Sequence, residues 1–370
     1  MKKLAIIGAN EFQNRLILKA KELGYETHVF AWEDGAVGKE TADYFYPINI
    51  VEKEKILEIC KKIKPVGVCS IASDLAVITV NYVAEKLGLP CNQTMYSSIQ
   101  TNKYEMRRAL TDAGIDCPKF VKVDNEFNSE IIKNFRFPII VKPTDRSGSR
   151  CVTMLETIAG IEEAVAAACE VSFEKAAIIE EFIDGDEYSM ETITQNGIHH
   201  YLATTKKYTT GAPHFIETGH EEPSGLSEEI INEAKGIVFK ALTALHIENS
   251  AGHSEFKIDK SGNIRIIEIG ARMGGDCIGS DLVYLSTGND FTKMVIDVAV
   301  GAGIEPICDI NNSASIYFLF DNEDIAKMND TLNDFPDLVY SVSEINYDII
   351  GKATDSSTRA GYYICIQKRK

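Results

Sequence analysis

Two glutamates on a predicted β-hairpin are the residues of this sequence best placed to do chemistry. Two alternating apolar runs, residues 254–259 and 263–270, flank a lysine–serine–glycine turn, a pattern that predicts paired strands. Glu255 falls in the first strand and Glu268 in the second, at nearly opposite positions. Buried carboxylates side by side repel each other, and a divalent cation such as Mg²⁺ relieves that repulsion. The hairpin therefore predicts a metal site; an ordinary hairpin with a surface ion pair is the alternative.

An arginine and two glycines follow the second glutamate. Arg272 comes just past the predicted strand end, where its planar guanidinium could meet a phosphate or a carboxylate. Gly274 and Gly275 then free the backbone. This order predicts an anion-binding position next to the metal site.

A second set of polar residues lies between two predicted strands farther upstream. Lys142 stands near the end of the strand at residues 137–143, and Ser147, Gly148 and Ser149 lie in the loop that follows. A loop of serine and glycine can present several backbone N–H groups to phosphate oxygens. Taken alone, the loop is better explained as a simple hairpin turn, so its phosphate-binding role depends on the rest of the chain.

The composition is that of a globular enzyme and excludes several classes of protein. The chain has 370 residues, of which 45% are hydrophobic and 25% charged, enough for two or three domains. A net charge of −17 argues against nucleic acid as a partner. We expect no signal peptide and no membrane span. Nine cysteines without CxxC spacing indicate reduced thiols and a cytoplasmic protein.

The N-terminal segment predicts a doubly wound α/β domain over residues 1–97. A buried strand ending at Gly8, an amphipathic helix and a second strand give a β-α-β unit. The turn after Gly8 lacks the second and third glycines of the dinucleotide fingerprint, which disfavours NAD. A new helix is expected from Thr101, the predicted cap, with Lys103 in its first turn.

The remainder is expected to hold two further units, at residues 98–303 and 304–370. An apolar strand ends at residues 180–183, and Asn196-Gly197 predicts a hairpin. Residues 211–225 form a long polar loop that contains Glu217 and His220, and residues 227–245 form an amphipathic helix. Helices are expected at residues 281–285 and 291–300. Residues 321–359 give a mixed α/β signal that the sequence leaves unassigned.

Taken in order, these residues resemble the ATP-grasp superfamily, over nearly the whole chain. The resemblance implies a doubly wound N-terminal domain followed by two α+β lobes that clasp ATP, with a C-terminal α/β unit completing the large lobe. It implies that Lys103 and Lys142 contact ATP and that the loop of Ser147, Gly148 and Ser149 covers its phosphates. It further implies that the adenine hinge consists of Glu180, Glu181, Phe182 and Ile183. It implies that Glu187 binds the ribose and that Glu255 and Glu268 are the two metal ligands.

Within that superfamily the chain looks most like the carboxylate–amine ligases that join L-amino acids. The segments carrying this likeness are residues 213–220, 251–255 and 268–275, with a weaker signal at residues 357–362. The resemblance implies that Glu217, His220, Arg272 and Gly274 face the substrates. Arg272, Lys142 and His220 are the implied catalytic residues, with His220 accepting the proton of the amine. Gly270 stands where the family often has a metal-binding asparagine, so water or Asp276 would be the third ligand.

The implied function is an ATP-dependent ligase that forms an acyl phosphate, couples it to an amine and releases ADP and phosphate. ATP and Mg²⁺, with Mn²⁺ as the alternative and two ions in the site, are the implied cofactors. Small-molecule carboxylates and amines are the partners, and a homodimer is common in the family. Activation of bicarbonate or formate, as in carboxylases and purine-pathway enzymes, is one alternative. A nucleotide-binding protein without catalysis is another.

Overall fold

The computed structural model describes residues 1–212, 215–307 and 312–368. Its N-terminal part is a four-stranded parallel sheet in the order β3-β2-β1-β4, flanked by helices. The bounds in chain order are β1 (Lys2–Ile7), α1 (Glu11–Glu22), β2 (Tyr25–Ala31), β3 (Tyr44–Pro47), α2 (Lys53–Ile63), β4 (Gly67–Cys69), α3 (Asp74–Leu87) and the short α4 (Ser97–Thr101). The α/β class expected for this segment is confirmed.

The turn after β1 differs from a dinucleotide-binding turn, because a side chain of the protein fills it. Asn10 caps α1 by accepting a hydrogen bond from the Gln13 N–H at 3.0 Å, and the Gln13 Oε1 accepts one from the Asn10 N–H at 3.1 Å. The Gln13 carboxamide lies 2.3 Å from where a Cβ on Gly8 would be. The end of the helix that a pyrophosphate would approach is thus filled by the chain's own side chain.

The second sheet is small and antiparallel, with strand order β5-β8-β6-β7. Its apolar face packs on α6, because Val165 and Ala168 of the helix meet Ile139 and Ile179 of the strands. The bounds are α5 (Lys103–Asp112), β5 (Phe120–Val123), β6 (Ile139–Pro143), β7 (Thr153–Leu155), α6 (Ile161–Val171) and β8 (Ala177–Glu181). This layer is the small lobe of the molecule.

The third sheet has eight antiparallel strands in the order β13-β12-β9-β10-β11-β14-β16-β15 and forms the large lobe. Its first strands are β9 (Gly185–Gln195), β10 (Ile198–Thr209), β11 (Glu217–Glu222), β12 (Ser250–Asp259) and β13 (Ile264–Gly270), with α7 (Glu228–Ala244) packed on them. The remaining elements are α8 (Val283–Thr287), α9 (Phe291–Ala299), β14 (Asn312–Leu319), α10 (Asn322–Asp334), β15 (Val339–Val342) and β16 (Gly361–Lys368). The last three strands therefore continue the sheet that carries the predicted hairpin.

Several local expectations were wrong, each for a physical reason. The loop at residues 211–225 contains β11, which pairs with both β10 and β14 and buries polar side chains rather than apolar ones. The helix expected at residues 281–285 is present, but it begins earlier, with a π-helical turn over Ile278–Leu282 that runs into α8. The cap of α5 is Asn102, whose side chain accepts from two backbone N–H groups, not Thr101. In the described ranges, no helix has both the length and the apolar character needed to cross a bilayer.

Candidate active site

A cleft between the two lobes brings together most of the residues singled out in the sequence. Strands β6 and β8 form its small-lobe wall, and β9, β10, β12 and β13 form its large-lobe wall. The predicted residues that line it are Lys103, Lys142, Ser147, Gly148, Ser149, Glu180, Glu181, Phe182, Ile183, Glu187, Glu217, Glu255, Glu268 and Arg272. The cleft is therefore both strongly cationic and strongly anionic, a combination suited to a phosphorylated ligand that arrives with a metal ion.

Glu180 organises the cationic wall of the cleft. Its buried carboxylate accepts from the Lys142 ammonium at 2.6 Å and from the Arg107 guanidinium, which also donates to the backbone carbonyl of Ile267. Burial alone would raise the pKa of this carboxyl, but Arg107 and Lys142 outweigh it and lower the pKa to about 2. Glu180 is thus an ionised partner that fixes Lys142, and its side chain is occupied by the protein itself.

The neighbouring hinge residues offer fewer free groups than the sequence suggests. The carboxylate of Glu181 is held by Arg136 through hydrogen bonds of 2.9 and 3.0 Å. The backbone N–H of Glu181 donates to the carbonyl of Lys119 at 2.9 Å. That N–H is therefore engaged, while Phe182 and Ile183 still line the cleft. The adenine-binding role of this segment stays a prediction.

The two predicted metal ligands face each other across neighbouring strands. Glu255 of β12 and Glu268 of β13 are direct partners in the register of the hairpin. The Lys103 ammonium donates to Glu268 at 2.8 Å, while Glu255 contacts the ammonium of Lys207 and, at 3.2 Å, the ring of His253. Although burial opposes its ionisation, Lys207 and His253 hold the pKa of Glu255 well below its usual range. Both carboxylates are thus already paired with cationic side chains.

This donor set fits a hard divalent cation. Two opposed carboxylates supply oxygen ligands, and Mg²⁺ characteristically takes one or two carboxylates and completes its shell with phosphate and water. Within the described part of the chain, no cluster of three or more His, Cys, Asp or Glu side chains is arranged to hold a metal. Asp276, the alternative third ligand, is engaged elsewhere by two hydrogen bonds from Arg359, at 2.6 and 2.9 Å. The remaining ligands would therefore come from water and the nucleotide.

Sequence reasoning missed a polar network around Lys207, next to the predicted metal ligands. Lys207 of β10 lies among Glu255, Glu187 at 3.3 Å and Glu217 at 3.8 Å. These carboxylates outweigh the effect of burial and raise the pKa of Lys207 well above its usual range. The partners come from three other strands, so only the sheet register shows their meeting. The only hint in the sequence was the pair of adjacent lysines in β10, Lys206 and Lys207. The sequence does not tell which of the two side chains points toward the cleft.

His253 is the second group that the sequence did not single out. Its ring lies between Glu255 and Glu191, its register partner on β9. Burial would lower its pKa, but the two carboxylates raise the pKa of His253 to about 9. Glu191 also accepts from the backbone N–H of Gly274 at 3.1 Å, and a Cβ at Gly274 would lie 2.8 Å from the His253 ring. Gly274 therefore lies behind the cleft, where it permits close packing, and does not line it.

Arg272 lies in the cleft but is held from outside the two lobes. Its guanidinium pairs with the carboxylate of Asp74 through Nε–Oδ1 at 2.9 Å and Nη2–Oδ2 at 3.1 Å. Asp74 is the first residue of α3, so the N-terminal domain orients the arginine of the predicted active site. This fork-to-fork geometry fixes the plane of the guanidinium.

His220 does not line the cleft, contrary to what its predicted catalytic role requires. The ring is 1% exposed and packs edge-on against Phe318, with Nε2 3.7 Å from Asp276. Burial lowers the pKa of His220, and neither ring nitrogen has a hydrogen-bond partner in the described chain. Glu217 does line the cleft, where the Ser356 hydroxyl donates to it. The structure thus separates the two residues that were expected to face the first amino acid together.

Comparison with known proteins identifies the domain family to which the central part of the chain belongs. Residues 135–281, which include most of the cleft, match the ATP-grasp domain family. The chain therefore contains an ATP-grasp domain, and the resemblance to that superfamily is confirmed.

The individual proteins most informative for this chain are ligases and a formyltransferase. The alanine–anticapsin ligase of Bacillus subtilis (strain 168) is 27% identical over 294 residues, and the match covers 70% of this chain and 62% of that relative. The formate-dependent phosphoribosylglycinamide formyltransferase of Prochlorococcus marinus is 25% identical over 263 residues, covering 66% and 64%. The chain thus spans less than two thirds of the length of these relatives. A crystal structure of the L-amino acid ligase from Bacillus licheniformis superposes with a TM-score of 0.84 at 24% identity, covering 100% of this chain and 94% of that one.

Proposed function

We propose that this protein is an ATP-dependent carboxylate–amine ligase that acts on amino-acid substrates and releases ADP and phosphate. The observation that carries the proposal is the cleft in which two lysines, an arginine and two opposed glutamates meet: Lys103, Lys142, Arg272, Glu255 and Glu268. The similarity to an alanine–anticapsin ligase and the fold shared with an L-amino acid ligase support the choice of substrates.

The chemistry requires that a carboxylate be activated. Oxide is a poor leaving group, so a carboxylate oxygen first attacks the γ-phosphorus of ATP, the bond to ADP breaks, and an acyl phosphate forms. The amine nitrogen then attacks the acyl carbon, and phosphate leaves with the electron pair of the broken bond. The departing phosphate is a base that can carry away the amine proton, so the burial of His220 outside the cleft does not block this route.

The residues of the cleft supply the positioning and charge that phosphoryl transfer needs. Lys142, fixed by Glu180, and Lys103 offer ammonium donors for phosphate oxygens. Arg272, fixed by Asp74, offers a planar fork for the substrate carboxylate and the acyl phosphate. Glu255 and Glu268 would hold one or two divalent ions, Mg²⁺ or Mn²⁺. When bound, the metal would neutralise the negative charge of the phosphates.

The loop that carries Ser147, Gly148 and Ser149 is suited to excluding water. Gly148 and Ser149 have positive φ angles of 74° and 56°, and the Ser149 hydroxyl reaches the carbonyl of Phe215 in the opposite lobe at 3.4 Å. The loop therefore already bridges the mouth of the cleft. An acyl phosphate is hydrolysed by water, so a covered site protects it.

Phosphate release from Mg-ATP, with amino acids added singly and in pairs, tests the proposal. We expect ADP and phosphate only with particular substrates, and a loss of at least about 100-fold in the Glu268→Gln variant, because a metal ligand is removed. Glu229→Gln, on the exposed first turn of α7, is the matched control and should leave the rate unchanged. Release of ADP without any amino-acid dependence would contradict the ligase.

A second function is favoured by the similarity to a formate-dependent enzyme. Activation of formate or bicarbonate uses the same acyl phosphate chemistry on a smaller acid. ADP release that requires formate or bicarbonate and ignores amino acids would support it. Tight ATP binding without turnover would instead support a non-catalytic nucleotide-binding protein.

The homodimer and the cytoplasmic location stay predictions. Light scattering, which measures the mass of the particle in solution, tests the homodimer.

A further inference from the structure

Lys207 lies at the point where three parts of the proposed site meet. Its ammonium, on a side chain that is only 4% exposed, contacts Glu255 most closely, then Glu187 at 3.3 Å and Glu217 at 3.8 Å. The proposed function gives these carboxylates separate tasks, which are metal, ribose and substrate binding. One buried cation therefore holds together three anions that would otherwise repel each other.

The carboxylates of the proposed metal site already have cationic partners. Lys207 is paired with Glu255, and Lys103 is paired with Glu268 at 2.8 Å. A divalent cation approaching this site must compete with the two ammonium groups and is repelled by both. The two lysines differ in one respect. Lys103 is predicted to contact the nucleotide, whereas the contacts of Lys207 are the three carboxylates.

We propose that Lys207 is a positioning residue whose ammonium occupies Glu255 when no nucleotide is bound, so that free divalent metal is excluded and metal enters with the nucleotide. The inference rests on the proposed function, since it takes Glu255 and Glu268 as the metal ligands. It adds an order of binding to that function. Nucleotide phosphates supply the negative charge that lets a metal ion and Lys207 share the site.

The test is the binding of Mn²⁺ alone to the nucleotide-free protein, measured by electron paramagnetic resonance of the free ion. We expect Lys207→Met to bind Mn²⁺ at least about tenfold more tightly than the wild-type protein, a change of about 1.4 kcal/mol. The reason is that the metal replaces the cation closest to Glu255, while His253 and Lys257 stay beside Glu255 and Glu187 in both proteins. Lys207→Arg keeps the charge and should restore exclusion of the metal, which a purely structural role would not require.

Lys206→Met is the matched control, because the neighbouring side chain points to the other face of β10. Its ammonium contacts Asp186 at 3.4 Å and the ring of Tyr208, away from the carboxylates of the cleft. We expect Lys206→Met to bind Mn²⁺ as the wild-type protein does. Equal gains in the two variants would overturn the inference, because the effect would then reflect net charge alone.

A variant that folds poorly still gives an answer. Loss of the cation shared by Glu255, Glu187 and Glu217 destabilises Lys207→Met, so added Mn²⁺ should raise its melting temperature more than that of the wild-type protein. The double variant Lys207→Met with Glu217→Gln relieves part of the repulsion and should still bind free Mn²⁺ more tightly than the wild type.

The two proposals fail in different ways. Unchanged Mn²⁺ binding in Lys207→Met, with normal binding of Mn²⁺ and a non-hydrolysable ATP analogue, would overturn only the role of Lys207. If the wild-type protein binds no Mn²⁺ even with that analogue, the metal site itself is wrong, and both proposals fall.

Discussion

A buried carboxylate holds Lys142, the predicted catalytic lysine, in place. Glu180 is the shared anion of Arg107 and Lys142, and its side chain is only 4% exposed. We expect Glu180→Gln to lower the free energy of unfolding by about 3–5 kcal/mol, since it leaves two buried cations without a counter-charge. Urea-induced unfolding measures this change. Glu105→Gln, which breaks an exposed pair with Arg108 on α5, is the control and should change stability by less than about 1 kcal/mol.

Glu222 predicts a pH dependence of stability. Its carboxylate accepts from Thr205 at 2.7 Å and from Ser286, but burial dominates and raises its pKa to about 7. The folded state therefore binds this proton more strongly than the unfolded state. Stability from this group is present at low pH and is lost as the pH rises from its ordinary pKa near 4.5 through 7.

Urea unfolding between pH 5 and pH 8 tests the role of Glu222. The wild-type protein should lose up to about 1.4 kcal/mol per pH unit relative to Glu222→Gln over this range, with a plateau above pH 7. Parallel curves for the two proteins would contradict the raised pKa.

At the scale of residues, the sequence identifies groups by type but not by partner. Glu255 and Glu268 could be predicted to face each other because a short turn joins their strands. Lys207 and its carboxylates could not, because the contacts depend on the register of four strands that are distant in sequence. His220 was misassigned for the same reason, since a polar residue in a supposed loop proved to be a buried strand residue.

At the scale of elements, α3 of the N-terminal domain contacts a residue of the candidate active site. Its first residue, Asp74, fixes the guanidinium of Arg272. We expect Asp74→Asn to lower kcat/KM for the carboxylate substrate by about 100-fold, because a misplaced arginine no longer meets the reacting group. The dissociation constant for ATP, measured by calorimetry, should stay near that of the wild-type protein.

The matched control for Asp74 is an acidic residue in the first turn of another helix. Glu54 is in the first turn of α2, is exposed and lies away from the cleft. Glu54→Gln should leave both constants unchanged. An equal loss of ATP affinity and of kcat/KM in Asp74→Asn would show that the residue acts on the fold as a whole and not on Arg272.

Elements with clear apolar periodicity were predictable, whereas polar ones were not. The hairpins β9–β10 and β12–β13 follow from their turns and alternating strands. Strand β11 has no apolar alternation, because its buried positions hold Glu222 and His220 among polar and aromatic partners. Its place between β10 and β14 is set by pairing at both edges, which a single segment of sequence does not reveal.

At the scale of the molecule, the three layers divide the work. The small lobe carries Lys142 and the loop predicted to cover the phosphates, the large lobe carries the two predicted metal ligands, and the N-terminal domain orients Arg272. The sequence predicted an N-terminal α/β domain and two lobes, because the order of motifs along the chain follows the order of the layers, but not that the N-terminal domain orients Arg272. It did not reveal how closely the opposite charges of the cleft are paired with one another.

The central claim, that the protein activates a carboxylate as an acyl phosphate, is tested most directly by isotope transfer. An accepted amino acid labelled with ¹⁸O in its carboxylate is incubated with Mg-ATP and the second substrate, and the released phosphate is analysed by mass spectrometry. Our account predicts one ¹⁸O atom in each phosphate, because the carboxylate oxygen that attacks the γ-phosphorus leaves with it. Unlabelled phosphate, or label found in AMP, would contradict the acyl phosphate.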